Sequence, residues 1–295
     1  MTAIDRLLGE TAALVEAELD ALLPRAEPPV ARLAEAMRYA VMGGGKRLRA
    51  ALVRAAYRAV GGEGRLWLRP AAAIEILHAY SLIHDDLPAM DDSDLRRGRP
   101  SCHKAFDEAM AILAGDALQA YAYEILLRDD WGASAEQRVA VAHGLSLASG
   151  TLGMCAGQVL DLAGEKVPLD LAGLEHMENL KTGALIAFSL ETGARLGGAD
   201  EAGAARLARF GKDLGLAFQI RDDVLDAIGD PSLTGKPQGA DSAAGKTTFV
   251  SLLGIAEAER RMRGLRDRAC AGLDFLGPGA SLLVGLFDFV IERDH

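Results

Sequence analysis

Apolar residues recur at intervals of three and four along nearly the whole chain. Nowhere do they alternate with polar residues long enough to make a strand with β-branched enrichment. That pattern leaves helix packed on helix as the available architecture. Glycine and proline supply the breaks. A first helix is predicted over about Asp5–Leu23, ended by Pro24, and a second over Val30–Val41, stopped by Gly43-Gly44-Gly45. Further helices are predicted over Arg47–Val60, Arg69–Leu87 with Pro70 in its first turn, His103–Leu127 and Glu136–Ser149. The remainder are Thr151–Ala163, Leu169–Leu180, Lys181–Arg195, Glu201–Ala227, Thr248–Leu273 and Ala280–Arg293. The 295 residues are 50% hydrophobic but only 5% aromatic, with alanine and leucine dominant, as a helical protein requires. The connections are short except Gly229–Lys246, and none reads as an interdomain linker. The expectation is one all-α domain over residues 1–295, built as a helical bundle.

A formal net charge of −10 argues against general affinity for nucleic acid or anionic membranes. No stretch reaches about 18 uninterrupted apolar residues, so no transmembrane helix is expected. The segment MTAIDRLLGETAAL is acidic and amphipathic, without the basic start and apolar core of a secretory signal. Cys102, Cys155 and Cys270 form no CxxC pair and no zinc spacing, which fits reduced thiols in a cytoplasmic protein.

The chemistry is concentrated in two acidic clusters. HDDLPAMDDSDLRRG (84–98) places Asp85, Asp86, Asp91, Asp92 and Asp94 at the end of an apolar helix, and Arg96 and Arg97 follow at once. Carboxylates so close raise one another's energy unless a cation is shared. On a straight helix Asp91 would be rotated about 240° from Asp85. Pro88 disfavours helix at Leu87, so a bend after Asp86 can bring Asp91 back. FQIRDDVLD (218–226) repeats the theme, with Asp222 and Asp226 four apart on one helix face. Two such sets facing each other across a bundle cavity would suit Mg2+, a hard cation that completes its shell with water and phosphate oxygens. The competing account is that each cluster is only a solvated helix end.

Basic residues answer the acidic ones. GGGKRLR (43–49) puts Lys46 and Arg49 at a glycine-rich helix start, where backbone N–H groups favour anions. Arg96 and Arg97, Lys181 with Thr182 in KTGALIAF, and Lys236 and Lys246 in the long loop complete the set. Together they could hold multiply charged phosphate groups, one bridged to the aspartates by metal.

These motifs, in this order across most of the chain, resemble the trans-prenyltransferases, the short-chain isoprenyl diphosphate synthases, and most of all their bacterial farnesyl-forming members. The resemblance rests on GGGKRLR, HAYSLIHDDLPAMDDSDLRRG (78–98), KTG (181–183), FQIRDDVLD and GKPQGAD…GKTT (235–248). It implies a cytoplasmic homodimer of all-α subunits, each with a deep central cavity. Asp85, Asp86, Asp91, Asp222, Asp223 and Asp226 would bind Mg2+, about three ions per active site. Arg96, Lys181 and Lys236, with Lys246 nearby, would hold the allylic diphosphate. Gly45, Lys46, Arg49, His78 and Arg97 would form the pocket for isopentenyl diphosphate. Thr182 and Gln219 would lie near the developing cation. The implied reaction breaks an allylic C–O bond, adds isopentenyl diphosphate to the cation and loses a proton. The long loop would be the lid that excludes water. Ser93 and Arg221 depart from the residues common in relatives, Asp and Gln.

Tyr80 lies five residues before Asp85, roughly 7.5 Å along a helix, with the small Ser81 beside it. In the family a bulky aromatic there is a floor that stops growth near fifteen carbons, so farnesyl diphosphate is the expected product. Five residues also rotate about 140°, so spacing alone does not aim Tyr80 at the pocket, and ordinary core is its alternative role. Geranyl or geranylgeranyl diphosphate synthesis, and a non-catalytic diphosphate-binding subunit, are the alternatives. GADSAAGKT (239–247) imitates a P-loop but has one residue too many and no preceding strand. Glu75-Ile76-Leu77-His78 imitates the ExxH of di-iron bundles without a second internal copy.

Overall fold

Caps and breakers set where each helix begins and ends. The computed structural model describes residues 2–228 and 246–293. Thr2 opens α1 (Ala3–Leu22) with a reciprocal capping box to Asp5, satisfying two amides that the helix itself leaves free. Asp107 caps α6 (Glu108–Leu127) by accepting from the Met110 amide at 2.7 Å. By contact the chain divides into two compact units, Met1–Arg54 with Gly64–Ala142, and Ala55–Glu63 with His143–His295. The expectation of a single domain over residues 1–295 concerns how these units join and stays an expectation.

The first unit holds α1, α2 (Ala31–Val41), the start of α3 (Leu48–Ala59), α4 (Leu68–Asp85), α5 (Cys102–Ala105), α6 and the start of α7 (Ala135–Ser149). Its centre is α4, buried on every side from Leu68 to Leu77 and packed along α6. A helix apolar all round belongs in a core. The polar exceptions in it are paired: Arg69 donates to Glu18 at 2.9 Å and to Asp130 at 2.7 Å. The predicted helix over His103–Leu127 is two helices, because the backbone leaves helical geometry at Phe106 and Asp107. The structure also adds a two-residue hairpin, β1 (Leu95–Arg96) with β2 (Arg99–Pro100). Its turn residues Arg97 and Gly98 sit at φ +54° and +73°, the left-handed pair that a tight antiparallel hairpin requires.

The second unit holds α8 (Met154–Gly164), α9 (Leu171–Glu178), α10 (Ala184–Leu196), α11 (Glu201–Ile228), α12 (Phe249–Leu253), α13 (Ile255–Ala271) and α14 (Ser281–Glu292). Here α11 packs along α10 and α13. Gly211 admits the close approach of α10, since a Cβ there would lie 2.5 Å from the Ala187 Cα. Instead of stopping before Lys181, α9 runs into α10 through a π-helical turn, Asn179–Gly183. The predicted helix over Thr248–Leu273 is interrupted at Gly254, φ +75°. Three helical stretches, Glu108–Leu127, Ala135–Gly164 and Asp274–Glu292, are long and apolar enough by length and composition to cross a membrane. The first carries Asp116 and Glu124 within it. That no helix spans a membrane therefore remains an expectation.

Candidate active site

The first acidic motif forms at the end of α4. Asp85 is the last helical residue and Asp86 its C-cap. Beyond Pro88 the chain turns back: the Asp91 amide donates to the Asp85 carbonyl at 2.9 Å, and the Ser93 amide to that of Asp86 at 3.2 Å. The bend expected from Pro88 thus returns Asp91 to the helix end. Asp92 holds φ +45° within it. Asp86 is buried and gripped by Arg96, whose Nε donates to both carboxylate oxygens at 3.1 and 3.2 Å and whose Nη2 donates to Oδ1. The hairpin delivers this arginine, so a two-residue turn positions the counter-charge of the acidic motif.

Beside it the first unit concentrates cations. A cavity of about 50 Å3 is lined by Arg47, His78, Asp86, Arg96 and Arg97 among others. Gly45 holds φ +122°, and a Cβ there would fall 2.6 Å from an Arg97 guanidinium nitrogen, so glycine admits that side chain. Burial lowers the Arg49 guanidinium pKa; Glu75 opposes the shift and Arg97 adds to it. Arg49 Nε is buried with no hydrogen-bond partner. His78 is held well below the ordinary histidine range, first by burial and then by Arg49, Arg97, Arg96 and Arg47. A neutral imidazole among four arginines, with a guanidinium nitrogen open to a further acceptor, is an environment that favours an anion. Lys46 is exposed at the glycine-rich approach. Ser81 donates to the His78 carbonyl at 2.8 Å, and Tyr80 is buried at 8% exposure.

The sequence reading omits two members of this pocket. Arg47, held at φ +47°, donates to the Val41 carbonyl at 2.8 Å and to Glu75 at 3.4 Å. Glu75 also accepts the Ala50 amide at 3.2 Å. The apparent ExxH is therefore a structural carboxylate and a pocket histidine, not a metal pair.

In the second unit Asp222, Asp223 and Asp226 lie near the end of α11. Asp222 accepts from Arg293, whose guanidinium lies 3.9 Å from the Phe218 ring centroid. Arg221, the departure noted in the sequence, donates to the Arg293 carbonyl at 2.9 Å. Asp223 is buried and accepts from Gln219 at 3.2 Å and from the Phe249 amide at 2.7 Å. Lys181 and Thr182 sit on the π-helical turn, a local widening frequent at functional sites. Lys181 Nζ donates to Asp161 at 2.5 Å and Thr182 donates to Glu178 at 3.3 Å. Glu178 is buried, and burial pushes its carboxyl up to about 8; Lys181 opposes the shift and Asp223 and Asp161 reinforce it. Asp161, Glu178, Lys181, Gln219, Asp223 and Lys246 line a cavity of about 110 Å3. Asp161 and Glu178 are the members that sequence reasoning missed. Lys236 and the rest of the proposed lid, apart from Lys246, lie outside the described residues.

The donor chemistry fits Mg2+. All six carboxylates are hard oxygen ligands, and Asp86 and Asp222 already draw a cation, in each case an arginine. Among the described residues no three His, Cys, Asp or Glu side chains are gathered to hold a metal by themselves. An ion at either motif would complete its shell with other oxygens, as Mg2+ ordinarily does with water and phosphate.

A family model for polyprenyl synthetase matches residues 30–270. The chain is 46% identical over 280 residues to the farnesyl diphosphate synthase of Escherichia coli (strain K12), covering 92% of each chain. It is 41% identical over 293 residues to that of Geobacillus stearothermophilus, covering 99% of this chain and 98% of the other. Its fold matches the crystal structure of an FPP/GFPP synthase from Zymomonas mobilis with a TM-score of 0.89 at 43% identity, over 97% and 98% of the two chains.

Proposed function

We propose that this chain, which belongs to the polyprenyl synthetase family, a class of Mg2+-dependent prenyltransferases, is a farnesyl diphosphate synthase. It condenses isopentenyl diphosphate with dimethylallyl or geranyl diphosphate, forming (2E,6E)-farnesyl diphosphate and releasing diphosphate. The observation that carries this reading is the arginine cluster around His78, an anion pocket beside an aspartate motif. Arg49, Arg97, His78, Lys46 and the backbone at Gly45 take the diphosphate of isopentenyl diphosphate. Arg96, Lys181, Lys236 and Lys246 take the allylic diphosphate. Mg2+, about three ions held by Asp85, Asp86, Asp91, Asp222, Asp223 and Asp226, supplies charge neutralisation to the leaving diphosphate.

The chain's own residues do the rest. Arg96 and Lys181 are each held by a carboxylate, so both cations stand in place before the diphosphate arrives. Thr182 and Gln219 present an oxygen and an amide near the developing allylic cation. His78, kept neutral, adds a hydrogen-bonding group to the pocket without adding a charge to the arginines. No protein nucleophile takes part, and the departing diphosphate receives the proton lost from C2 of the isopentenyl unit. Tyr80 closes the prenyl pocket and limits the product to about fifteen carbons, with Ser81 leaving room beside it. The protein acts as a cytoplasmic homodimer.

The test uses purified protein with Mg2+, dimethylallyl diphosphate and labelled isopentenyl diphosphate, products being dephosphorylated and sized. Farnesol, abolished by EDTA, is expected. The Zymomonas relative is an FPP/GFPP synthase, named for a longer product as well, which gives a longer-chain synthase as the second reading; geranylgeraniol or longer alcohols would select it. No elongation with any allylic starter would select a non-catalytic diphosphate-binding subunit.

A further inference from the structure

Gly115 sits in the middle of α6, a 20-residue helix, where glycine serves no cap or turn and costs backbone entropy. Its neighbour explains it. A Cβ at Gly115 would lie 2.2 Å from His84 Nε2 and 2.5 Å from its Cδ2, so only glycine admits the imidazole at this depth. There the Nε2–H donates to the Ile112 carbonyl at 3.1 Å, and the Asp116 carboxylate lies 3.9 Å away. The ring is therefore fixed by the α6 backbone on one side. On the other it meets Tyr80, four residues earlier on the same face of α4, edge to face, with centroids 5.2 Å apart and an interplanar angle of 81°.

We propose that His84, seated over Gly115, is a positioning residue for product length: it braces the Tyr80 ring against α6 and so holds the floor of the prenyl pocket in place. This inference rests on the reading of Tyr80 as that floor. A buried ring turns only if a neighbour yields, and packed side chains occupy discrete arrangements. With His84 in place, the Tyr80 ring meets a growing prenyl chain as a fixed wall. With His84 shifted or truncated, the ring gains a second orientation and a fraction of chains grows past it. The pair Gly115–His84 is then a determinant of specificity that contacts no substrate.

The experiment measures product-length distributions for the wild type, His84→Ala, Gly115→Ala, Tyr80→Ala and the double variant His84→Ala/Tyr80→Ala. Each is supplied with Mg2+, geranyl diphosphate and isopentenyl diphosphate. Gly115→Ala keeps His84 and favours the helix, so it tests the brace even if His84→Ala folds poorly. The expected result is that Gly115→Ala and His84→Ala each shift product beyond the wild-type length by several-fold or more. Tyr80→Ala should shift it further, and the double variant should match Tyr80→Ala, since coupled residues are non-additive. Lengthening by Tyr80→Ala alone, with the other two single variants unchanged, would overturn the brace and leave the floor standing. An added effect of His84→Ala in the Tyr80→Ala background would also overturn it. No lengthening by Tyr80→Ala would remove the floor itself, and the brace with it.

Discussion

At the scale of single residues the site is governed by charges that burial makes expensive. Gly45 makes the point for the basic pocket. It combines φ +122° with an approach of 2.6 Å to Arg97, so alanine there is strained twice over. Gly45→Ala should raise the KM for isopentenyl diphosphate at least about 10-fold, equivalent to about 1.4 kcal/mol, while leaving the allylic KM near its wild-type value. Steady-state kinetics with each substrate varied in turn checks this, and an equal rise in both KM values would refute the pocket assignment. Glu178 makes the complementary point for acids. Its carboxyl is pushed from 4.5 to about 8 in the folded protein, so between those values the folded state binds the extra proton. Folded stability therefore falls as pH rises through that window, with a slope approaching about 1.4 kcal/mol per pH unit. Glu178→Gln removes the penalty. Urea unfolding without Mg2+ at pH 5.5 and pH 8 should show the wild type losing more stability than the variant across the interval.

At the scale of elements, glycines decide how closely helices approach. Gly215 on α11 faces Gly183 of the π-helical turn, where a Cβ would fall 2.7 Å from the Gly183 Cα. Backbone cannot step aside as a side-chain tip can, so Gly215→Ala should cost about 1–3 kcal/mol and displace Lys181 and Thr182. Gly264, within α13, has nothing within 4 Å of its would-be Cβ, and Gly264→Ala should stabilise by about 0.4–1 kcal/mol. Urea midpoints of the two variants should move in opposite directions. The same glycines show why part of the molecule was legible in sequence and part was not. Helix positions follow from local apolar period, and the return of Asp91 follows from Pro88, because both are written within a few residues. The π-helical turn is not, since Gly157, where a Cβ would lie 2.2 Å from the Lys181 amide, and Gly215 belong to other helices. The hairpin has a local signal in Arg97-Gly98, but two residues per strand give no alternation to detect. Glu178 looks in sequence like any acid on a helix. Only packing buries it beside Lys181 and Thr182.

At the scale of the whole molecule, several of the cations and carboxylates assigned to metal or diphosphate are paired within the protein. Arg96 holds Asp86, Lys181 holds Asp161 and Arg293 holds Asp222, so four groups assigned to metal or diphosphate, Arg96, Asp86, Lys181 and Asp222, are each engaged in an ion pair. Mg2+ with an allylic diphosphate offers both sides stronger partners at once: metal for the carboxylates and phosphate oxygens for the cations. Either alone meets only half of the exchange, since bare Mg2+ must displace arginines and bare diphosphate must approach the aspartates. A ligand bound only by the folded state stabilises it by about 2.7 kcal/mol at one hundred times its dissociation constant. For a chain of 295 residues that corresponds to a rise in Tm of roughly 5 °C. Mg2+ together with geranyl diphosphate should give this rise in thermal melts, each alone should give clearly less, and EDTA should reverse it. In Asp222→Asn the joint shift should shrink markedly, because the carboxylate that competes for the metal is gone while Arg293 can still cover the amide oxygen. An undiminished shift in that variant would mean that the second aspartate motif does not take part in binding the metal–diphosphate pair.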